Sequence, residues 1–170
     1  MRKLFVILSV LVAISLTASA VFAGNVHIRG EVNFGLGSLT ASGTLAGLGN
    51  QDVDVTLTAS GIGTATCMNK GGNEAPGQNP VFVEATGLES IPAVLFENGS
   101  TPFSVTVEDP PPPTAREAGC PNGNWRVTSF FVAWTSATIT VKVAGTDVVL
   151  LLANFTCVTI PGSVTCTAVP

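Results

Sequence analysis

The chain has 170 residues, of which 46% are apolar and only 11% charged, with seven Lys and Arg against eleven Asp and Glu. The net charge of −4 argues against nucleic acid and anionic lipid as partners, because both associations depend on Lys and Arg neutralising phosphates. Four cysteines and a single histidine leave little material for metal or triad chemistry.

The first 23 residues have the grammar of a secretory signal peptide. Arg2 and Lys3 precede an apolar stretch from Leu4 to Leu16, and small-residue exits follow at 18–20 and 21–23. The stretch is shorter than the roughly 20 residues that span a bilayer, so cleavage after Ala23 is expected rather than anchoring. No cysteine stands at either exit, which argues against a lipid anchor. The mature part, residues 24–170, is expected to be one secreted domain with no membrane attachment. Removing Arg2 and Lys3 leaves five cations against eleven carboxylates, a net charge of −6.

Beyond residue 23 the chain reads as short strands. The pentapeptide "LTASG" occurs at 39–43 and again at 57–61, and the two copies are expected to be arms of one hairpin. A three-residue turn, Gly49 to Gln51, sets Leu45 opposite Val55 and Ala41 opposite Ala59, keeping the apolar sets on one face. In "QDVDVTLTAS" the alternation places Val53, Val55, Leu57 and Ala59 on one face, with Asp52, Asp54, Thr56 and Thr58 on the other. "PFSVTV" at 102–107 and "SATITVKV" at 136–143 repeat this pattern. "FFVAW" at 130–134 and "VVLLLANF" at 148–155 are largely continuous apolar runs, as expected of central strands covered on both faces or shielded by a loop on the outer one. The glycine turn at 144–147 should join 136–143 to 147–155 as a hairpin.

Two stretches interrupt the strands. "CMNKGGNEAPGQNP" at 67–80 is dense in Gly, Asn and Pro, whose backbone preferences suit turns. "EDPPPPTAREAGCPNGN" at 108–124 begins with four prolines, which cannot donate ladder hydrogen bonds and favour an extended arm. Nine or ten strands with no helical pattern predict an all-β fold: an antiparallel β-sandwich, immunoglobulin-like or a similar Greek key, with a closed β-barrel as the alternative.

All four cysteines, Cys67, Cys120, Cys157 and Cys166, lie in the mature part, and an even count in an exported chain reads as disulfides. Their spacings of 53, 37 and 9 lack the close pairs of a zinc site. "CVTIPGSVTC" predicts a terminal hairpin turning at Pro161-Gly162, with Cys157 opposite Cys166 in a non-hydrogen-bonded pair about 4.5 Å apart. That falls within the usual disulfide range of about 4.4–6.8 Å. Cys67 is then expected to join Cys120, tying the Gly/Asn loop to the end of the proline arm.

No catalytic constellation stands out. His27 would be the fourth residue of the mature chain, an edge-strand position where a general base is poorly held. Asp52 and Asp54 share a solvent face, and Glu74, Glu84, Glu89, Glu97 and Glu117 sit singly. "GLGSL" and "GIGTAT" are followed by strand-like sequence rather than the helix a phosphate cradle requires. No calcium-loop pattern occurs. No catalytic residue, metal ligand or cofactor is therefore assigned. The candidate contact surface is the rim formed by loops 68–80 and 114–125: Asn69, Asn73, Gln78, Asn79, Asn122 and Trp125, the last being the large aromatic nearby.

The motif at 67–80, followed by "CPNGNW" at 120–125, resembles a set of uncharacterised secreted bacterial β-rich proteins that share a cysteine, a G-G-N-x-x-P-G-Q-N-P loop and a later C-P-N-x-x-W-like element. The resemblance implies secretion and a β-rich fold; it carries no activity and no site residue. The expectation for function is a secreted, non-catalytic extracellular binding or structural module with a protein or polysaccharide partner. The alternatives are a secreted hydrolase using paired carboxylates and a small-ligand carrier with a cavity between its sheets.

Overall fold

The computed structural model describes residues 25–170; the export signal expected at 1–23 lies outside the described residues. The strands are β1 (His27–Ile28), β2 (Asn33–Gly35), β3 (Thr40–Ala46), β4 (Val53–Met68), β5 (Glu74–Pro76), β6 (Val81–Ile91), β7 (Ser100–Thr106), β8 (Arg126–Val143), β9 (Val149–Ile160) and β10 (Ser163–Ala168), with one 3-10 turn at Ala93–Leu95. They form two antiparallel sheets that do not close into a barrel, so the fold is a β-sandwich.

In the smaller sheet, β3 pairs with β7 on one side and with β1 and then β2 on the other. β1 and β2 thus act as one interrupted edge strand, bridged by the Arg29 N–H to the Thr44 carbonyl at 2.8 Å. His27 is exposed on that edge, and its Nδ1 lies 2.9 Å from the Asn25 carbonyl oxygen. The larger sheet runs β10–β9–β8–β4, with β5 and β6 sharing the far side of β4. One hydrophobic cluster fills the space between the sheets, from Leu39 and Leu45 through Val55 and Leu57 to Ile139 and Val141. Phe34 of β2 and Phe155 of β9 meet edge to face across this gap, with ring centroids 5.1 Å apart.

The alternating segments are strands facing as expected: Val53, Val55, Leu57, Ala59, Phe103, Val105, Ile139 and Val141 are all buried. The expected hairpin between 39–43 and 57–61 does not form. β3 belongs to the smaller sheet and β4 to the larger, and the link between them crosses from one sheet to the other. Gly47, at φ 77°, turns the chain there, and the buried Leu48 donates its N–H to Gly99. The apolar sets of the two segments do share one core, but they line it from opposite sheets.

A second correction concerns 130–134 and 148–155. β8 and β9 are interior strands, but their outer faces are bare: Phe131 is 46% exposed and Leu152 59%. Their continuous apolar runs therefore include an uncovered face. Phe131 is not alone there. Ile62 pairs with Phe82 on one neighbour and Ala133 on the other, and Phe82 is 69% exposed.

The glycines of "GIGTAT", expected as turns or bulges, lie within β4, and the ladder to β8 shifts register between Ser60 and Gly61. A side chain at Gly61 would collide with the Ala133 carbonyl, and one at Gly63 with the Phe130 ring. The 136–155 hairpin forms with Val141 opposite Leu151, and Lys142 reaches Asp147 at 3.6 Å across its turn.

Where β6 passes β7 the sheets come close. The Glu89 carboxylate accepts the Ser104 N–H at 2.7 Å, the Glu108 backbone N–H donates to the Thr86 carbonyl at 3.3 Å, and any Cβ at Gly87 would run into the Thr106 carbonyl. Gly87→Ala is expected to cost about 2 kcal/mol or more by forcing backbone apart. Leu88→Ala next door, at a residue 64% exposed, should stay within about 0.5 kcal/mol. Urea midpoints of the two variants check this, and equal effects would refute the close approach.

Candidate functional site

The rim is assembled from two sequence-distant loops. At the end of β4, Asn69 folds its own turn: its Oδ1 accepts the N–H groups of Gly71 at 2.9 Å and Asn73 at 3.0 Å, and its carbonyl accepts that of Gly72 at 3.1 Å. Gly72 sits at φ 80°, a conformation that L side chains resist. The chain then returns along β4 as β5. The stretch 68–80, expected to be wholly non-strand, is thus a tight hairpin followed by a short break.

That break receives the proline arm. The Gly77 N–H still bonds to Ala65 at 2.8 Å, but Gln78 and Asn79 donate instead to the carbonyls of Gly119 and Ala118. A Cβ at Gly77 would lie 2.5 Å from the Ala118 oxygen, and one at Gly119 would lie 2.8 Å from the Asn79 side chain. The arm therefore approaches as closely as backbone allows, and Ala118 is fully buried. Cys67 and Cys120 are joined there, with Cα atoms 5.8 Å apart.

The arm keeps its shape through a reciprocal cap. Glu117 accepts hydrogen bonds from the Thr114 N–H and hydroxyl, both at 2.8 Å, while the Glu117 N–H donates to the Thr114 hydroxyl at 3.3 Å. The Ala118 N–H then closes a helical turn onto the Thr114 carbonyl at 2.9 Å. This T-x-x-E pattern was readable in the sequence as a capping box, although it caps one turn rather than a helix. Beyond Cys120, Asn122 shapes a second turn: its Oδ1 accepts from Asn124 at 3.0 Å and its carbonyl from Trp125 at 3.1 Å.

The two turns face each other across a cleft of about 630 Å³. Of the six residues expected at the contact surface, Asn69 and Trp125 line this cleft. Asn73 and Asn122 act behind it by holding the turns, whereas Gln78 and Asn79 bind the arm through their backbone N–H groups. Lys70, Asn124 and Arg126 also line the cleft and were not singled out. Arg126 is placed by β-register, opposite Met68 at the end of β4, which only the sheet pairing reveals.

Two other clefts bear on the alternatives. One of about 730 Å³ beside β6 and β7 is lined by Glu89 and Glu97 together with Arg29. Another, of about 610 Å³, opens beside the proline arm against Leu36, Phe130, Val132 and Trp134. Trp134 is 2% exposed, and its indole N–H has no hydrogen-bond partner. Among the described residues no group of three His, Cys, Asp or Glu side chains converges.

The second disulfide closes the terminal hairpin as expected, with Cys157 in register with Cys166 and Ile160 with Ser163, and Gly162 at φ 83° in the turn. The Cα separation is 4.0 Å, shorter than the expected value of about 4.5 Å for a non-hydrogen-bonded pair and just below the usual disulfide range of about 4.4–6.8 Å. In the chain-entropy account, removing Cys67–Cys120 costs about 4 kcal/mol and removing Cys157–Cys166 about 2.5 kcal/mol, the longer loop mattering more. Paired Cys→Ser variants compared by urea denaturation should show that order, with the rim amides losing hydrogen-exchange protection only in the first.

The Glu117 carboxyl lies below the ordinary glutamate range, first through the Thr114 backbone N–H and then through its hydroxyl. Because the folded-state pKa is lowered, this contribution to arm order is present above the unfolded pKa and is lost as pH falls through the folded one. An NMR titration of Glu117 should give a higher midpoint in Thr114→Ala than in the parent chain; identical midpoints would refute the cap. Against known proteins, no protein family, no curated sequence and no solved structure matches this chain.

Proposed function

We propose that this protein is exported and works outside the cell as a non-catalytic binding module, holding a polysaccharide at the rim cleft. The observation that carries this reading is the interlock of loops 68–80 and 114–125. A disulfide and two glycine contacts fix turns from distant parts of the chain, so that Trp125 stands over a preformed cleft. A rigid, partly apolar cleft with a few placed polar groups needs little ordering on binding. The motifs that resemble those of secreted bacterial proteins, 67–80 and 120–125, are the two halves of this rim.

Export is supported by the N-terminal grammar and by the pairing of all four cysteines. Among the described residues no helix is long and apolar enough to cross a membrane. Protein recovered from culture medium should begin at Gly24 when its N-terminus is sequenced; retention of residues 1–23 would count against cleavage there. For binding, affinity electrophoresis through polysaccharide gels should retard the protein. Trp125→Ala should weaken that retardation about tenfold or more, as for a central aromatic anchor. Retardation that ignores Trp125 would refute the site.

A small-ligand carrier is favoured by a different observation: the unpartnered Trp134 indole N–H beside a cleft that is apolar in part. A buried donor without an acceptor costs about 1–3 kcal/mol, which a ligand oxygen would recover. Titrating a medium-chain fatty acid into a Trp125→Phe variant should then shift Trp134 fluorescence, and an unchanged spectrum would remove this reading.

A further inference from the structure

We infer that the rim cleft selects an acidic polysaccharide, one carrying a carboxylate on its sugar rings; this rests on reading the rim as a saccharide site. The described residues contain five cations, Arg29, Lys70, Arg116, Arg126 and Lys142, against eleven carboxylates. Two of the five, Lys70 on the first turn and Arg126 at the start of β8, line this cleft together with Trp125, and no carboxylate lines it. The other clefts each include at least one acid: Glu89 and Glu97 in one, Asp109 in the second, Glu84, Glu108 and Asp109 in the third.

Neither cation is spent elsewhere. The ion pair found among the described residues joins Lys142 to Asp147, leaving Lys70 and Arg126 without a carboxylate partner. Glu74 is the nearest acid by register. It pairs with Met68 on the side of β4 opposite Arg126, which puts two strand spacings, about 9–10 Å, between the two backbones. The guanidinium therefore remains available for bidentate contact with a carboxylate, and Lys70 offers a point charge on the facing turn.

The arrangement favours a sugar acid over other polyanions. Trp125 presents an amphipathic ring suited to an apolar sugar face, while Asn69 and Asn124 border the same space. Nucleic acid, with a charge for every ~1.7 Å of duplex, would meet a strongly acidic surface and only two cations. One carboxylate per sugar ring is a sparser pattern that two cations beside one aromatic can meet.

The test is affinity electrophoresis of the mature protein in gels containing polygalacturonate, alginate or hyaluronan. Fully methyl-esterified polygalacturonate, dextran, poly-glutamate and single-stranded DNA serve as comparisons. Retardation by at least one acidic polysaccharide is expected, falling with added salt and absent from the comparison polymers. Lys70→Gln combined with Arg126→Gln should weaken it about tenfold or more, since hydrogen bonds to charged groups are lost, with the thermal midpoint unchanged as a check on folding. Equal retardation by dextran or the methyl ester, or indifference to the double variant, would overturn the acid assignment and leave the saccharide reading standing. Equal retardation by poly-glutamate or DNA would overturn the sugar-acid assignment in favour of charge alone. No retardation on any polymer would overturn both readings.

Discussion

Every odd-numbered residue of β4 from Val53 to Cys67 is buried, an unbroken alternation along a sixteen-residue strand. This one constraint organises the larger sheet. A strand so committed to one face cannot slip by a single residue without turning its whole apolar set to solvent. β6 is thereby held in continuous register on one side, whereas β8 on the other side shifts register twice, between Ser60 and Gly61 and between Thr66 and Cys67. The inner face also changes size along its length, from Val and Leu to Gly61 and Gly63, which lets the Ala133 backbone and the Phe130 ring of the neighbouring strand come close.

The same alternation delivers Cys67, fully buried, to the end of the strand. The rim is an extension of the core rather than an ornament on it: disulfide, buried Ala118 and paired glycines continue the packed interior out to the loops. Turn chemistry then takes over. Asn69 and Asn122 each satisfy nearby backbone N–H groups through a side-chain oxygen, the local pairing that lets Asn fold a turn without a helix or ladder. Rigid loops on a rigid scaffold are where recognition surfaces are commonly built, and here the loops also gather two of the few cations.

The acidic surface and the sparse cations are consistent with this division of labour. With so much negative charge elsewhere, a cleft lined by Lys70 and Arg126 stands out electrostatically. The exposed group of Ile62, Phe82 and Phe131 is a different kind of surface, apolar and flat on the outer face of the larger sheet. Nothing in the structure shows what covers it.

The sequence by itself determined the β class, the buried face of each alternating strand, both disulfide partners and the terminal hairpin. Most follow from local rules, namely two-residue periodicity, turn preferences and the short reach of Cys157 to Cys166, and Cys67–Cys120 follows by elimination once that pair is assigned. The rim was legible as two loops joined at Cys67 and Cys120, with Asn69 and Trp125 among its residues. Lys70 and Arg126 were not singled out, because their value depends on standing across one cleft from each other. The "LTASG" repeats show the limit most plainly. A hairpin and a crossing between sheets bury the same Leu45, Ala41, Val55 and Ala59, so periodicity alone cannot choose between them. Only the tertiary structure decided, because backbone ladders are chemically alike whatever strand supplies them: β3 found its partners in β7 and the β1–β2 edge, and β4 found its own in β6 and β8.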